Sequence, residues 1–270
     1  MFRLKALPSA VLLAALMSSG VASGQQGLIA SPLVVFATGQ SNAVLQPAFS
    51  WSPNRRAKIW NFNGDDGNIG TAFIPINPRA ISVTWKFASE IARASPGRDV
   101  CLITIAFPAK SITHWLSGYS RNPAVSPDIY ANIQNNIGPA LAACGATSID
   151  YLLWWQGETD AGDVNYPSRF ETVMGRFRSN PWFAPSTSIV IFGVGVAGFT
   201  DQLARAMPAM NVILQSLVAT DPANRIFVPS VSLPASPYWD LSSPGHMTAS
   251  GYDALGSLAA SMANKLAKAR

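Results

Sequence analysis

With 270 residues and 49% apolar side chains, the chain carries enough hydrophobic material for a sizeable core. Its charge is mild, 19 − 14 = +5, too weak to point to a nucleic-acid partner. No His or Cys grouping has metal-ligand spacing, so no catalytic metal is expected.

The first segment is read apart from the fold. Arg3 and Lys5 precede the apolar run "AVLLAALM", and Val21-Ala22-Ser23 supplies small residues of the kind a signal peptidase cleaves after. Residues 1–23 are therefore expected to be a signal peptide and 24–270 a single domain of charge 17 − 14 = +3, secreted or periplasmic. The apolar run is shorter than the roughly 20 residues that span a bilayer, so no stable membrane insertion is expected after cleavage. No linker, repeat or low-complexity tract divides the remainder.

Short apolar runs then alternate with longer amphipathic segments. Strands are expected at 33–37, 57–62, 100–107, 150–155, 188–194 and 225–230. Between or after them, "SVTWKFASEIARA", "PDIYANIQNNIGPALAA", "YPSRFETVMGRFRS", "DQLARAMPAMNVILQSLVA" and "SGYDALGSLAASMANKLAKA" show helical spacing, with Ser126-Pro127-Asp128 as a helix start. Several strands are apolar on both faces, as buried parallel strands are. The expected fold is α/β: a three-layer α/β/α sandwich with a central, mainly parallel sheet and its ligand site at the carboxyl ends of the strands. The Gly-, Asn- and Pro-rich loop at 63–80 is long enough to be functional or mobile. Cys101 and Cys144 both fall near the opposite, amino edge. A disulfide and two buried thiols are both compatible with that placement, and neither cysteine is positioned for catalysis.

Three stretches place chemistry at the carboxyl edge. "ATGQSNAV" puts Ser41 directly after the first strand, and a serine hydroxyl becomes a nucleophile only with a base in reach. The chain has two histidines, His114 and His246. His246 stands in a Pro-Gly turn before the last helix, where it can act as general base; His114, beside Trp115, reads as a packing or substrate-side residue. "LLWWQGETDA" brings Gln156, Gly157 and Glu158 to the same edge, giving an N–H donor for an oxyanion, a glycine that allows close approach, and a carboxylate. Asp65 and Asp66 are read as turn formers rather than a cation site.

Together, "GQSN" (39–42), "AFPAKSITHW" (106–115), "WWQGETD" (154–160) and "GHMTASGYDALG" (245–256) resemble the SGNH hydrolases, in the branch of sialate O-acetylesterases and acetylxylan esterases. The resemblance spans about 215 residues and implies a flavodoxin-like fold. It implies a serine esterase that removes acetyl or other short acyl groups from an acetylated carbohydrate through an acyl-enzyme and requires no cofactor. Ser41 would be the nucleophile and His246 the base. The oxyanion hole would use the Ser41 N–H, an N–H from the second block, assigned to Ala109 or its neighbour Lys110, and the Gln156 side chain. Pro108-Ala109 stands where the branch has a Gly-Gly pair, and Pro108 has no N–H. Ser243 stands where many SGNH hydrolases carry the Asp three residues before the His. The acid is therefore assigned to Glu158 ahead of Asp240, with a dyad aided only by carbonyls as a further possibility. Gln40, Asn42, Trp115 and Trp239 are expected to contact substrate, and Trp51 is a further aromatic candidate; the other tryptophans read as core. Two alternatives stand beside this reading: a non-catalytic carbohydrate-binding protein, and a lipase or thioesterase of the same superfamily.

Overall fold

The computed structural model describes residues 30–60, 70–116, 128–195, 197–199 and 202–270. The expected signal peptide, Asp65, Asp66 and Ser126-Pro127 lie outside the described residues. Strand-forming runs give β1 (Leu33–Gly39), β2 (Ala57–Trp60), β3 (Phe73–Pro75), β4 (Val100–Thr104), β5 (Ile149–Trp155), β6 (Phe183–Phe192) and β7 (Arg225–Val228). They form one sheet in the order β3-β2-β4-β1-β5-β6-β7. Every neighbouring pair is parallel except β2 with β3. Setting that edge pair aside, β4-β1-β5-β6-β7 follows the flavodoxin-like order 2-1-3-4-5.

The helices are α1 (Ser41–Val44), α2 (Val83–Ala94), α3 (Ile129–Cys144), α4 (Tyr166–Arg178), α5 (Gln202–Ser216), α6 (Ala235–Tyr238) and α7 (Ala249–Lys268). Their starts are chemically marked. The Ser82 hydroxyl accepts from the Trp85 N–H, the Asp128 carboxylate from Ala131, and the Thr248 hydroxyl from Gly251, each relieving one orphan donor of the first turn. Side-chain alternation along β1 then divides the core. Val34 and Phe36 pack with α3, α4 and α5, whereas Leu33, Val35 and Ala37 pack with α2 and α7. The result is the expected three-layer arrangement.

Two differences from the expected elements have local causes. β3 is three partly exposed residues in a Gly- and Pro-rich loop, and only pairing with β2 (Trp60 opposite Phe73) makes it a strand. β4 is assigned only to Thr104, yet the chain stays alongside β1, with Ile105 and Phe107 N–H donating to the carbonyls of Ala37 and Gly39 at 2.9 Å each. That continuation carries the second block to the carboxyl edge. At the amino edge, Cys101 of β4 and Cys144 at the end of α3 form a disulfide. Among the described residues no helix is long and apolar enough to cross a membrane.

Candidate active site

β1 and β5 are adjacent, and the chain departs from them to opposite sides of the sheet, leaving a crevice beyond their carboxyl ends. β1 closes on Gly39 at φ +147, where a Cβ would lie 2.0 Å from the Trp155 carbonyl oxygen. Only glycine permits this approach, and it turns the chain so that α1 begins at Ser41. β5 likewise ends at Trp155 and releases Gln156-Gly157-Glu158 into the same crevice, with Gly157 at φ +145.

Gln40 joins the two loops. Its Oε1 accepts from the N–H groups of Gly157 (3.2 Å) and Thr159 (3.4 Å), and its Nε2 donates to the Thr159 hydroxyl. Asn42 adds a second strut, donating to the Gly245 carbonyl (2.9 Å) and to Glu158 Oε1 (3.1 Å) while its Oδ1 accepts from the Tyr252 hydroxyl (2.9 Å). Both side chains are buried. The loops that carry Ser41, Glu158 and His246 are thus cross-linked through the two residues that flank the serine.

Ser41 Oγ and His246 Nε2 are 2.8 Å apart, across 205 residues of sequence. The other ring nitrogen, Nδ1, lies 2.7 Å from Ser243 Oγ. The loop behind the imidazole is closed by its own backbone: His246 N–H donates to the Ser243 carbonyl, Ser243 N–H to the Asp240 carbonyl, and Asp240 N–H to the His246 carbonyl. Burial pushes the imidazole below its usual value, with the Asp240 charge pulling the other way. A lowered value favours the neutral ring that a general base requires near pH 7.

Neither carboxylate considered as the partner of His246 bonds to the ring, and this corrects the expectation for both Glu158 and Asp240. Asp240 Oδ1 is taken by the N–H (2.9 Å) and hydroxyl (2.6 Å) of Ser242. Glu158 turns to Asn42, and among the described residues its Oε2 has no hydrogen-bond partner. Burial pushes the Glu158 carboxyl up to about 7, opposed by hydrogen bonds that include the one from Asn42.

The second block is positioned by a residue that attracted no role in the sequence. Asp160, itself buried, accepts from the Ser111 hydroxyl (2.5 Å) and the Ile112 N–H (2.7 Å). Gln156 belongs to the same clamp. Its amide donates to Asp160 and to the Lys110 carbonyl (3.3 Å), and reaches Gln40 Oε1 (3.4 Å). Wholly buried and so engaged, Gln156 does not face the cavity; the expectation of a direct oxyanion donor is corrected to a support of the loop that carries Ala109. Ala109 itself stands at φ 54, in the left-handed region where a glycine would be relaxed.

The cavity has a volume of about 440 Å³ and is lined by Gln40, Ser41, Asn42, Pro108, Ala109, Glu158, Thr159, Phe199, Met207, Pro244, Gly245 and His246. The aromatic expectations are corrected. Trp115 is fully buried, donates to the Thr38 hydroxyl (2.9 Å) and packs edge-on against Trp154. Trp239 is buried against Gly195, and Trp51 donates to the Ala80 carbonyl at 2.7 Å. None of the three lines the cavity, nor does His114. The aromatic wall comes instead from Phe199, which no motif singled out. Among the described residues no group of three or more His, Cys, Asp or Glu could hold a metal ion.

A serine and an imidazole thus meet at the switch point of a flavodoxin-like sheet. The model of the carbohydrate esterase, sialic acid-specific acetylesterase family matches residues 51–265, and the chain belongs to that family. It is accordingly a carboxylic ester hydrolase. Among solved structures, a protein of Arabidopsis thaliana is similar at TM-score 0.62 and 16% identity, covering 87% of this chain and 98% of that one. NanS is similar at 0.62 and 14%, covering 89% and 99%. A carbohydrate acetylesterase from Xanthomonas citri is similar at 0.54 and 16%, covering 88% of this chain and 56% of that one. A sequence search of curated proteins finds no match.

Proposed function

We propose that the protein is a secreted or periplasmic serine esterase that removes acetyl groups from an acetylated carbohydrate. The observation that carries the mechanism is the 2.8 Å approach of Ser41 Oγ to His246 Nε2 inside a lined cavity. His246 takes the Ser41 proton as the oxygen attacks the ester carbonyl. The negative charge gathering on the carbonyl oxygen is met by the backbone N–H groups of Ser41 and Ala109, both on the cavity wall. His246 then passes its proton to the departing sugar oxygen, leaving acetyl-Ser41. A water, deprotonated by the same imidazole, attacks this ester and releases acetate. The Cys101–Cys144 disulfide supports an oxidising compartment.

The decisive assay is hydrolysis of p-nitrophenyl acetate and of acetylated oligosaccharides by the wild type and Ser41→Ala. Activity is expected to fall by at least about a thousandfold with the fold intact; a variant that keeps most of it removes Ser41 from the chemistry. Inertness of folded wild-type protein together with measurable glycan affinity would favour the binding protein. Phe199, Met207, Pro108 and Pro244 make part of the cavity apolar, which admits the lipase or thioesterase reading. A series of acyl chain lengths separates these: the acetylesterase loses rate as the chain grows.

A further inference from the structure

We infer that Ser243 is the positioning residue behind His246, a neutral hydroxyl in the place where serine hydrolases of this kind hold a carboxylate. The inference rests on the proposed roles of Ser41 and His246. Its ground is a geometry in which the two ring nitrogens are held by two serine hydroxyls, at 2.8 Å and 2.7 Å.

The position is built rather than incidental. Ser243 stands three residues before His246, the His246 N–H donates to its carbonyl at 3.0 Å, and Asn42 fixes the intervening Gly245. The turn that would bring an Asp to Nδ1 is therefore intact, and only the side chain at its tip is changed. For Nε2 to accept the Ser41 proton, the neutral ring must carry its own proton on Nδ1. Ser243 Oγ accepts that Nδ1–H, which selects the tautomer and orients the ring. A hydroxyl bears no net charge, so it stabilises the imidazolium formed during attack less than a carboxylate would. No carboxylate bonds to the ring in its place: Asp240 acts on the imidazole through its charge alone while its Oδ1 accepts from Ser242, and Glu158, on the cavity wall, bonds to Asn42.

The full-length protein and its Ser243→Ala, Ser243→Thr and Ser243→Asp variants would be compared by steady-state kinetics across pH and by NMR titration of the imidazole protons. With only two histidines in the chain, His114→Gln assigns the spectrum. Ser243→Ala is expected to lower kcat by about ten- to a hundredfold with KM changed by less than about threefold, since a hydrogen bond to a charged group is lost. Ser243→Thr, which keeps the hydroxyl, is expected to restore most of that loss. Ser243→Asp is expected to raise the His246 titration midpoint by about one unit or more, moving the acid limb of kcat/KM to higher pH by the same amount. The inference is overturned if Ser243→Ala keeps kcat within about twofold of wild type, or if Ser243→Asp leaves the His246 midpoint in place. Ser41→Ala in the same assay separates the two levels. If it stays active, the esterase mechanism fails; if it is dead while Ser243→Ala keeps kcat within about twofold of wild type, only the role of Ser243 fails. The NMR midpoint reads the contact even in an inactive variant.

Discussion

The two edges of the sheet use their polar side chains differently. At the amino edge Cys101 is bonded to Cys144, and the Asp150 carboxylate accepts the Val34 N–H at 2.7 Å. Arg225, only 1% exposed, donates to Glu171 through both terminal nitrogens, with its guanidinium over the Phe170 ring. At the carboxyl edge, Glu158 Oε2 and Gln156 Oε1 are buried without partners among the described residues, and Ala109 holds a positive φ. The contrast is sharpest between two glutamates. The Arg225 guanidinium beside Glu171 holds that carboxyl below its ordinary value, whereas burial away from any cation raises Glu158. Cross-links between the layers are seen at the amino edge, and the Ser41–His246 pair stands at the other.

The comparison predicts that variants at the two edges separate stability from rate. The largest effect is that of Ser41→Ala, which is expected to remove activity while leaving the thermal midpoint unchanged; a large fall in midpoint would show that the carboxyl edge also carries the fold. Next, replacing Cys101 and Cys144 with Ser is expected to reduce stability by about 4 kcal/mol for a separation of 43 residues. Chemical denaturation would measure this, and kcat measured where the variant remains folded should stay at the wild-type level.

Glu171→Gln is expected to cost about 1–2 kcal/mol, kept modest by the partial exposure of Glu171 against a buried Arg225. A carboxyl lowered by folding stabilises the protein above its unfolded value of about 4.5, and that contribution is lost as pH falls through the lower folded value. The variant should therefore flatten the acid limb of stability. Glu158→Gln should act in the opposite direction. A carboxyl raised to about 7 by folding costs stability as pH climbs from 4.5 to 7, so the variant should gain thermal midpoint at pH 8 and little at pH 4. Equal gains at both pH values would show that the Glu158 charge is not what the fold resists.

Much of the architecture was legible because burial leaves a local record. The β1 and β5 runs are apolar on both faces, since helices cover both sides of the sheet, and the helical segments repeat at the helical period. β3 left no such record because a three-residue edge strand takes its hydrogen bonds from a partner rather than from its own pattern. The tryptophans misled for a related reason. Trp115 and Trp239 sit in or beside loops in sequence, but those loops fold back over the core and bury the indoles. Gln156, Glu158 and Asp160 were recognisable as one motif, yet which of them faces the cavity and which clamps a neighbouring loop depends on the direction of each side chain after a glycine at positive φ.

The sequence by itself determined the alternation of the main strands and helices, the edge of the sheet where chemistry would collect, and the serine and histidine that meet there. Those properties follow from periodic burial and from residue chemistry, which are written locally. Only the tertiary structure decided that Ser243, rather than Glu158 or Asp240, touches the far side of the imidazole. A hydrogen bond is made or lost within a few tenths of an ångström, and that margin is set by backbone turns at both ends and by struts such as Asn42 that join segments about two hundred residues apart.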